Sequence, residues 1–172
     1  LEATRLYLRP FREEDAEGFF QLNADPEVIR HTGDAAFRSV EEARTFIRAY
    51  DHYQKYGYGR WSIVLKETDV FIGFCGLKFH PDQQWTDIGF RLARQYWGQG
   101  LATEAAKRCL DYGFGQLGIE RIVGRARQAN TASIRVLEKL GMLRKGSFDF
   151  EGHPGYWYEI WANDHSRMVE SG

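Results

Sequence analysis

The chain has 172 residues, 43% hydrophobic and 15% aromatic, with 23 Lys plus Arg against 24 Asp plus Glu. That length suits a single domain, 1–172, with a substantial core. The near-zero net charge speaks against nucleic-acid or membrane-surface binding through bulk charge. No apolar run approaches the roughly 20 residues of a spanning helix, and "LEATRLYLRP" is not a signal peptide, so a cytoplasmic protein is expected. The chain does not open with Met, which leaves its natural N-terminus open.

Taken in chain order, "TRLYLRP" sets Leu6 and Leu8 against Arg5, Tyr7 and Arg9, a strand stopped by Pro10. "REEDAEGFFQLNAD" reads as a helix with an acidic first turn and Phe19, Phe20 and Leu22 inward. "SVEEARTFIRAYDHYQKYG" predicts one helix opened by a Ser39–Glu42 capping box. "RWSIVLK", the nearly continuous apolar "VFIGFCGLKF" and "WTDIGFRLA" read as three strands, the second central. A helix over 101–117 buries Leu101, Ala105, Cys109, Phe114 and Leu117. "RIVGRAR" is a strand, "NTASIRVLEKLG" a short helix ended by Gly141, and "YWYEIWA" a last strand or half of a hairpin. Cys75 and Cys109 sit in apolar runs, as buried thiols do. The order is mixed α/β, with a sheet too interrupted for a doubly wound fold.

Gly98 and Gly100 open the 101–117 helix. Bare glycines at a helix start let a phosphate approach unpaired amides, and they equally serve a tight strand-to-helix turn. "GQGLAT" lacks the lysine of a Walker loop. Thr103 stands where a dinucleotide fingerprint needs its third glycine, and Glu120, near the required offset, opens a strand instead of closing one. Both nucleotide readings fail on residues.

The run Gln95-Tyr96-Trp97-Gly98-Gln99-Gly100 matches the Q/R-x-x-G-x-G/A signature of the GNAT superfamily of acetyl-CoA-dependent N-acetyltransferases. "DIGFRLARQYWGQGLATEA" resembles the RimJ/RimL-like branch, which acetylates protein N-termini and other primary amines. "ANTASIRVLEKLGM" is similar to the family's Asn-x-x-Ser helix and Lys-Leu-Gly turn, and "TRLYLRPFREEDA" and "YWYEIWAND" resemble the branch's first and last strands. The resemblance implies a mixed, mostly antiparallel sheet of six to seven strands with about four helices, splayed at the cofactor-binding strand. It also implies acetyl-CoA as co-substrate and an amine acceptor, in a monomer or homodimer. Backbone groups near Phe90 and Leu92 would bind the pantetheine arm. The signature from Gln95 and the amides of Gly98, Gln99, Gly100, Leu101, Ala102 and Thr103 would bind the pyrophosphate, with Arg91 and Arg94 adding charge nearby. Asn130 would contact the cofactor, and is equally an ordinary N-cap.

Acetyl transfer needs a neutral, aligned amine, a donor for the oxyanion and a proton acceptor. Asp87, on the strand that faces the thioester in this family, is the candidate acceptor, with an exposed strand position as its alternative reading. Many family members place a tyrosine seven residues after the capping Asn, where this chain has Leu137. Ser133 is the substitute that the resemblance suggests, or a plain helix N-terminal serine. Glu104 reads as a first-turn carboxylate. His31, His52, His80, His153 and His165 have no ligand spacing, so no metal is expected, and no Gly-x-Ser-x-Gly occurs. The rival from another class is a non-catalytic acyl-CoA-binding or sensing domain. The acceptor would lie among the loops around 25–40 and 144–156, where Glu41, Glu42, Asp149 and Glu151 would favour a cationic acceptor if they face the cleft.

Overall fold

Alternating and continuously apolar runs fold into seven strands: β1 (Leu6–Arg9), β2 (Arg60–Leu65), β3 (Val70–His80), β4 (Trp85–Leu92), β5 (Arg121–Arg127), β6 (Leu143–Phe150) and β7 (His153–Trp161). They are seen in a computed structural model that describes residues 1–170. The strands form one sheet in the order β1-β2-β3-β4-β5-β7-β6. Every neighbouring pair is antiparallel except β4 and β5. That parallel pair is short: only Thr86, Asp87 and Ile88 face Ile122, Val123 and Gly124. Beyond it the C-terminal halves of β4 and β5 part, so the expected splay is present at the expected strand.

The helices are α1 (Ala16–Ala24), α2 (Pro26–Ile29), α3 (Val40–Ala49), α4 (His52–Tyr56), α5 (Leu101–Gly115), α6 (Thr131–Lys139) and α7 (Ala162–Glu170). The four expected helices correspond to α1, α3, α5 and α6, and α2, α4 and α7 are shorter or terminal additions. α4 exists because the helix expected over 39–57 breaks at Tyr50, whose backbone is extended. The break lets the Tyr50 hydroxyl accept from Arg60 N at 2.8 Å, while the Tyr53 hydroxyl donates to Arg60 O. Two tyrosines thus clasp the start of β2, a tertiary bond that outweighs helix continuity. The capping box is half formed. Ser39 accepts from Glu42 N at 3.1 Å, but the Glu42 carboxylate reaches the backbone N–H of Arg38 instead of Ser39. α7 was hidden by a polar segment with one buried residue, His165, held by Asp111 at 2.7 Å. Among the described residues no helix is long and apolar enough to cross a membrane.

Each face of the sheet has its own core. On one face α5 buries Leu101, Ala105, Ala106, Cys109, Leu110 and Gly113. Phe114 and Leu117, expected in that stripe, are only partly buried. The helix comes close because Gly113 has no side chain: a Cβ there would lie 2.8 Å from Leu77 Cδ1. Cys75 and Cys109 are the buried free thiols expected, with sulfurs 3.7 Å apart. The other face is covered by α1 and α3, through Ala16, Phe19, Ala43 and Ile47 with Phe11, Phe71 and Phe74 against them.

Candidate active site

A cleft of about 570 Å³ lies at the splay and is lined from both faces of the sheet. Strand alternation decides which side chain reaches which face. On β5, Ile122 and Ala126 join the core with Leu137 of α6, and a Cβ on Gly124 would meet Leu137 Cδ2 at 2.7 Å. Arg125 and Arg127 therefore project to the opposite face, where both guanidiniums lie over the Phe150 ring. On β4, Ile88 and Leu92 are in the α5-side core with Phe90 packed against it. Asp87 and Arg91 point the other way, Arg91 reaching Asn23 of α1 at 2.7 Å and Asp34 at 2.6 Å. Asn130, Ser133 and Phe90 thus line the cleft from the α6 side, and Asp87, Arg91, Arg125 and Arg127 line it from the α1 side. The gap between the strands connects them.

Asp87 is not the exposed strand position of its alternative reading; it is 4% exposed. Its Oδ1 accepts from Arg60 at 2.6 Å, and its Oδ2 meets His80 Nε2 at 3.1 Å and Arg125 at 3.2 Å. Burial alone would raise the carboxyl pKa, but the Arg60 charge, the His80 hydrogen bond and the Arg125 charge together hold it far below the usual carboxylate range. Gly89 makes room for this pairing, since a Cβ there would lie 2.5 Å from Arg60 Nη2. A carboxylate so held stays charged and accepts hydrogen bonds, which favours a fixed anion over the expected proton acceptor. At the edge of the cleft His52 Nε2 accepts from Phe79 N at 3.1 Å, and burial lowers its pKa to about 4, so it is neutral at physiological pH.

The loop before α5 has the features that a phosphate needs. Gly98 and Gly100 adopt positive φ, +72° and +76°, and a Cβ on Gly98 would have nothing within 4 Å. Gly100 is the N-cap and no side chain caps the helix, so the amides of residues 101–103 point out unpaired along the helix dipole. Arg5 braces the turn: Nε donates to Glu104 at 2.7 Å and Nη1 to Gln99 O at 3.0 Å, and its own N–H donates to Glu104 at 2.6 Å. That pairing makes Glu104 a structural carboxylate. Gln95 O accepts from Gln99 Nε2 at 3.1 Å inside the same turn. Of the expected pantetheine-binding groups, Leu92 O already accepts from Trp97 Nε1 at 2.8 Å, leaving it one lone pair. Arg94 and Arg91 are paired with Asp25 and Asp34. Leu92, Gln95, Gly98, Gln99, Gly100, Leu101, Ala102 and Thr103 lie outside the cleft lining, whereas Phe90, Asp87, Asn130 and Ser133 lie within it.

Asn130 caps α6, its Oδ1 accepting from Ser133 N at 3.2 Å. None of the carboxylates expected to draw a cationic acceptor is among the residues that line the cleft, although Glu151 borders it through Arg127. Glu41 pairs with Arg44 and Arg48, Glu42 is spent on capping, and Asp149 accepts from Gly152 N at 3.0 Å. Glu151 stands 3.7 Å from Arg127. Sequence reasoning did not find Arg60, His80, Arg125 or Arg127. Arg125 and Arg127 sit in the recognised strand "RIVGRAR", where charge on alternate positions of a buried strand was the available signal.

A sheet parted at its one parallel seam, with a glycine-led helix at its mouth, is the architecture of the GNAT acetyltransferases. A GNAT-family acetyltransferase from Bacillus anthracis superposes with a TM-score of 0.83, at 27% identity over 95% of this chain and 98% of its own. A spermidine N-acetyltransferase from Vibrio cholerae, solved in complex with CoA and spermine, shares the fold with a TM-score of 0.79 at 18% identity, over 94% of this chain and 98% of its own. The sequence model described as acetyltransferase (GNAT) domain matches residues 5–143. The uncharacterized N-acetyltransferase p20 of Bacillus licheniformis is 35% identical over 94% of this chain and 92% of its own length. The chain belongs to the GNAT acetyltransferase family, whose members are acyltransferases that use acetyl-CoA.

Proposed function

We propose that the chain is one N-acetyltransferase domain that moves an acetyl group from acetyl-CoA to a primary amine by direct attack in a ternary complex. The amine is a protein N-terminus, a lysine or a small amine, as in the RimJ/RimL-like branch. The observation that carries this reading is the open seam beyond Ile88, which joins an α6-side wall and an α1-side wall in one cleft. Two reactants approaching from opposite faces meet there, as alignment of a nucleophile with a carbonyl requires.

The residues divide the work. The amides of residues 98–103 hold the pyrophosphate, and Phe90 and Leu92 offer β4 backbone groups to the pantetheine arm. Asn130 and the Ser133 hydroxyl line the α6-side wall, near the departing sulfur. The amine nitrogen forms its bond to the thioester carbon as the carbon–sulfur bond breaks, and a β4 N–H donates to the oxyanion. The amine proton leaves through water in the cleft, while Asp87 acts through the two arginines that it fixes, as a positioning residue. Thiol release from acetyl-CoA, measured across N-terminal peptides, amino acids and polyamines, tests the reading. Binding of acetyl-CoA with no thiol release for any amine would make the protein a sensing domain instead. Ser133→Ala is expected to lower kcat by no more than about tenfold, below the roughly 10²–10⁴-fold of a full general acid or base, with the acetyl-CoA dissociation constant unchanged by calorimetry.

A further inference from the structure

The geometry points to an acceptor that carries an anionic group, a carboxylate above all, bound by Arg127 on the α1 side of the seam. This deepens the proposed transfer reaction and rests on it for the amine. The three carboxylates that line the cleft are already neutralised: Asp87 by Arg60 and Arg125, Asp34 by Arg91, and Asp51 by Lys55 at 2.7 Å. Among the described residues that line the cleft, Lys78 is an exposed cation, and Arg127 is the buried one with no carboxylate within hydrogen-bond reach. It is 9% exposed, its Nε is buried without a hydrogen-bond partner, and its one carboxylate neighbour, Glu151, stands at 3.7 Å, beyond hydrogen-bond reach. A buried guanidinium with an unmet donor is costly unless something binds it. The Phe150 ring, 5.5 Å from its centre, holds the guanidinium plane in place.

Glu151 also marks where a ligand anion fits. It is on the β6–β7 turn with its side chain 65% exposed, and it lies against Gly33 of the loop that follows α2. An incoming carboxylate that displaced this exposed group would gain two short, charge-assisted hydrogen bonds from a planar fork. The same cleft disfavours a polycation, because each carboxylate that lines it is already paired and Arg127 faces the loosely held Glu151 at its rim. A polyamine is therefore the wrong acceptor, and an amino acid or a peptide with an acidic group near its N-terminus is the right kind.

The test compares γ-aminobutyrate with n-butylamine, whose amines are nearly equally basic, and adds spermidine as polycation. The expected kcat/KM is at least about tenfold higher for γ-aminobutyrate, the usual worth of one charge-assisted pair. Arg127→Gln should remove that preference by raising KM for γ-aminobutyrate far more than for n-butylamine, and leave acetyl-CoA affinity unchanged. Preference for spermidine, or an equal fall for every acceptor in Arg127→Gln, would overturn the assignment. Glutarate, which has no amine, separates the two readings. Calorimetric glutarate binding to the CoA-loaded protein, lost in Arg127→Gln and partly kept in Arg127→Lys, sustains the anion site even if no amine is acetylated. Glutarate binding unaffected by Arg127→Gln, or absent, sinks it.

Discussion

Asp87→Asn is expected to destabilise the protein by about 3–5 kcal/mol, the usual cost of removing one partner from a buried charge pair. That corresponds to a fall in Tm on the order of 10 °C for a chain of this size. The reason is local: Arg60 and Arg125 would keep their positive charges in a buried site with no counter-ion. The acid limb carries the sign. Asp87 has a pKa depressed by folding, so its contribution is complete above the unfolded carboxylate value near about 3.9. It is lost as pH falls below that value toward the folded one. Asp15 behaves the same way: burial would raise its pKa, but hydrogen bonds from Arg9 and Ser62 hold it down. The parent should therefore lose stability on acidification more steeply than Asp87→Asn, whose remaining slope combines Asp15 with the paired surface carboxylates Glu2, Glu13, Asp25 and Asp51. Denaturant titrations from mildly acidic pH downward read this directly. Activity separates two roles. A fixed anion predicts a lower rate with an unchanged pH profile, whereas recovery at alkaline pH would restore Asp87 to proton acceptor.

Gly100→Val should abolish measurable acetyl-CoA binding and also weaken the fold, because φ of +76° is hostile to a β-branched residue, by about 1–2 kcal/mol. Strain and occlusion are thus mixed in that variant. Gly100→Asn unmixes them: asparagine tolerates left-handed backbone and is among the best N-caps. It should leave Tm within a degree or two while its side chain occupies the space above the open amides. The expected loss is on the order of 100-fold in acetyl-CoA affinity, from two displaced hydrogen bonds to charged phosphate. Undiminished binding in a stable Gly100→Asn protein would show that the coenzyme phosphates lie elsewhere.

Features set by near neighbours were legible in the sequence. β5 was read over the residues it occupies, because "RIVGRAR" is bounded by Gly118 and by Asn130. Asn130 was read as an N-cap because the bond that defines a cap spans three residues. The same holds for the glycines before α5, where one turn decides the backbone. Distant pairings stayed hidden. Asp87 looked like an exposed strand residue or a base because its partners come from β2, the end of β3 and β5, and no spacing rule links them. Tyr50 breaks a helix that its own periodicity supports because its hydroxyl is needed ten residues later. Glu41 and Glu42 of α3, Asp149 of β6 and Glu151 of the β6–β7 turn suggest a cationic acceptor in the sequence. Their arginine and backbone partners, distant or local, remove that signal.

The short pairing of β4 with β5 makes the sheet two half-sheets, four strands and three, held by a seam three residues long. Past Ile88 each half presents an interior edge, a row of backbone donors and acceptors of the kind that invites a foreign strand. A coenzyme arm with its own amides, bound along that edge, would serve as a prosthetic strand and remove the invitation. The ligand then belongs to the folding thermodynamics as much as to the chemistry. At a hundred times its dissociation constant it adds about 2.7 kcal/mol. Protein kept without acetyl-CoA or CoA should aggregate first, through the unguarded edges at the seam.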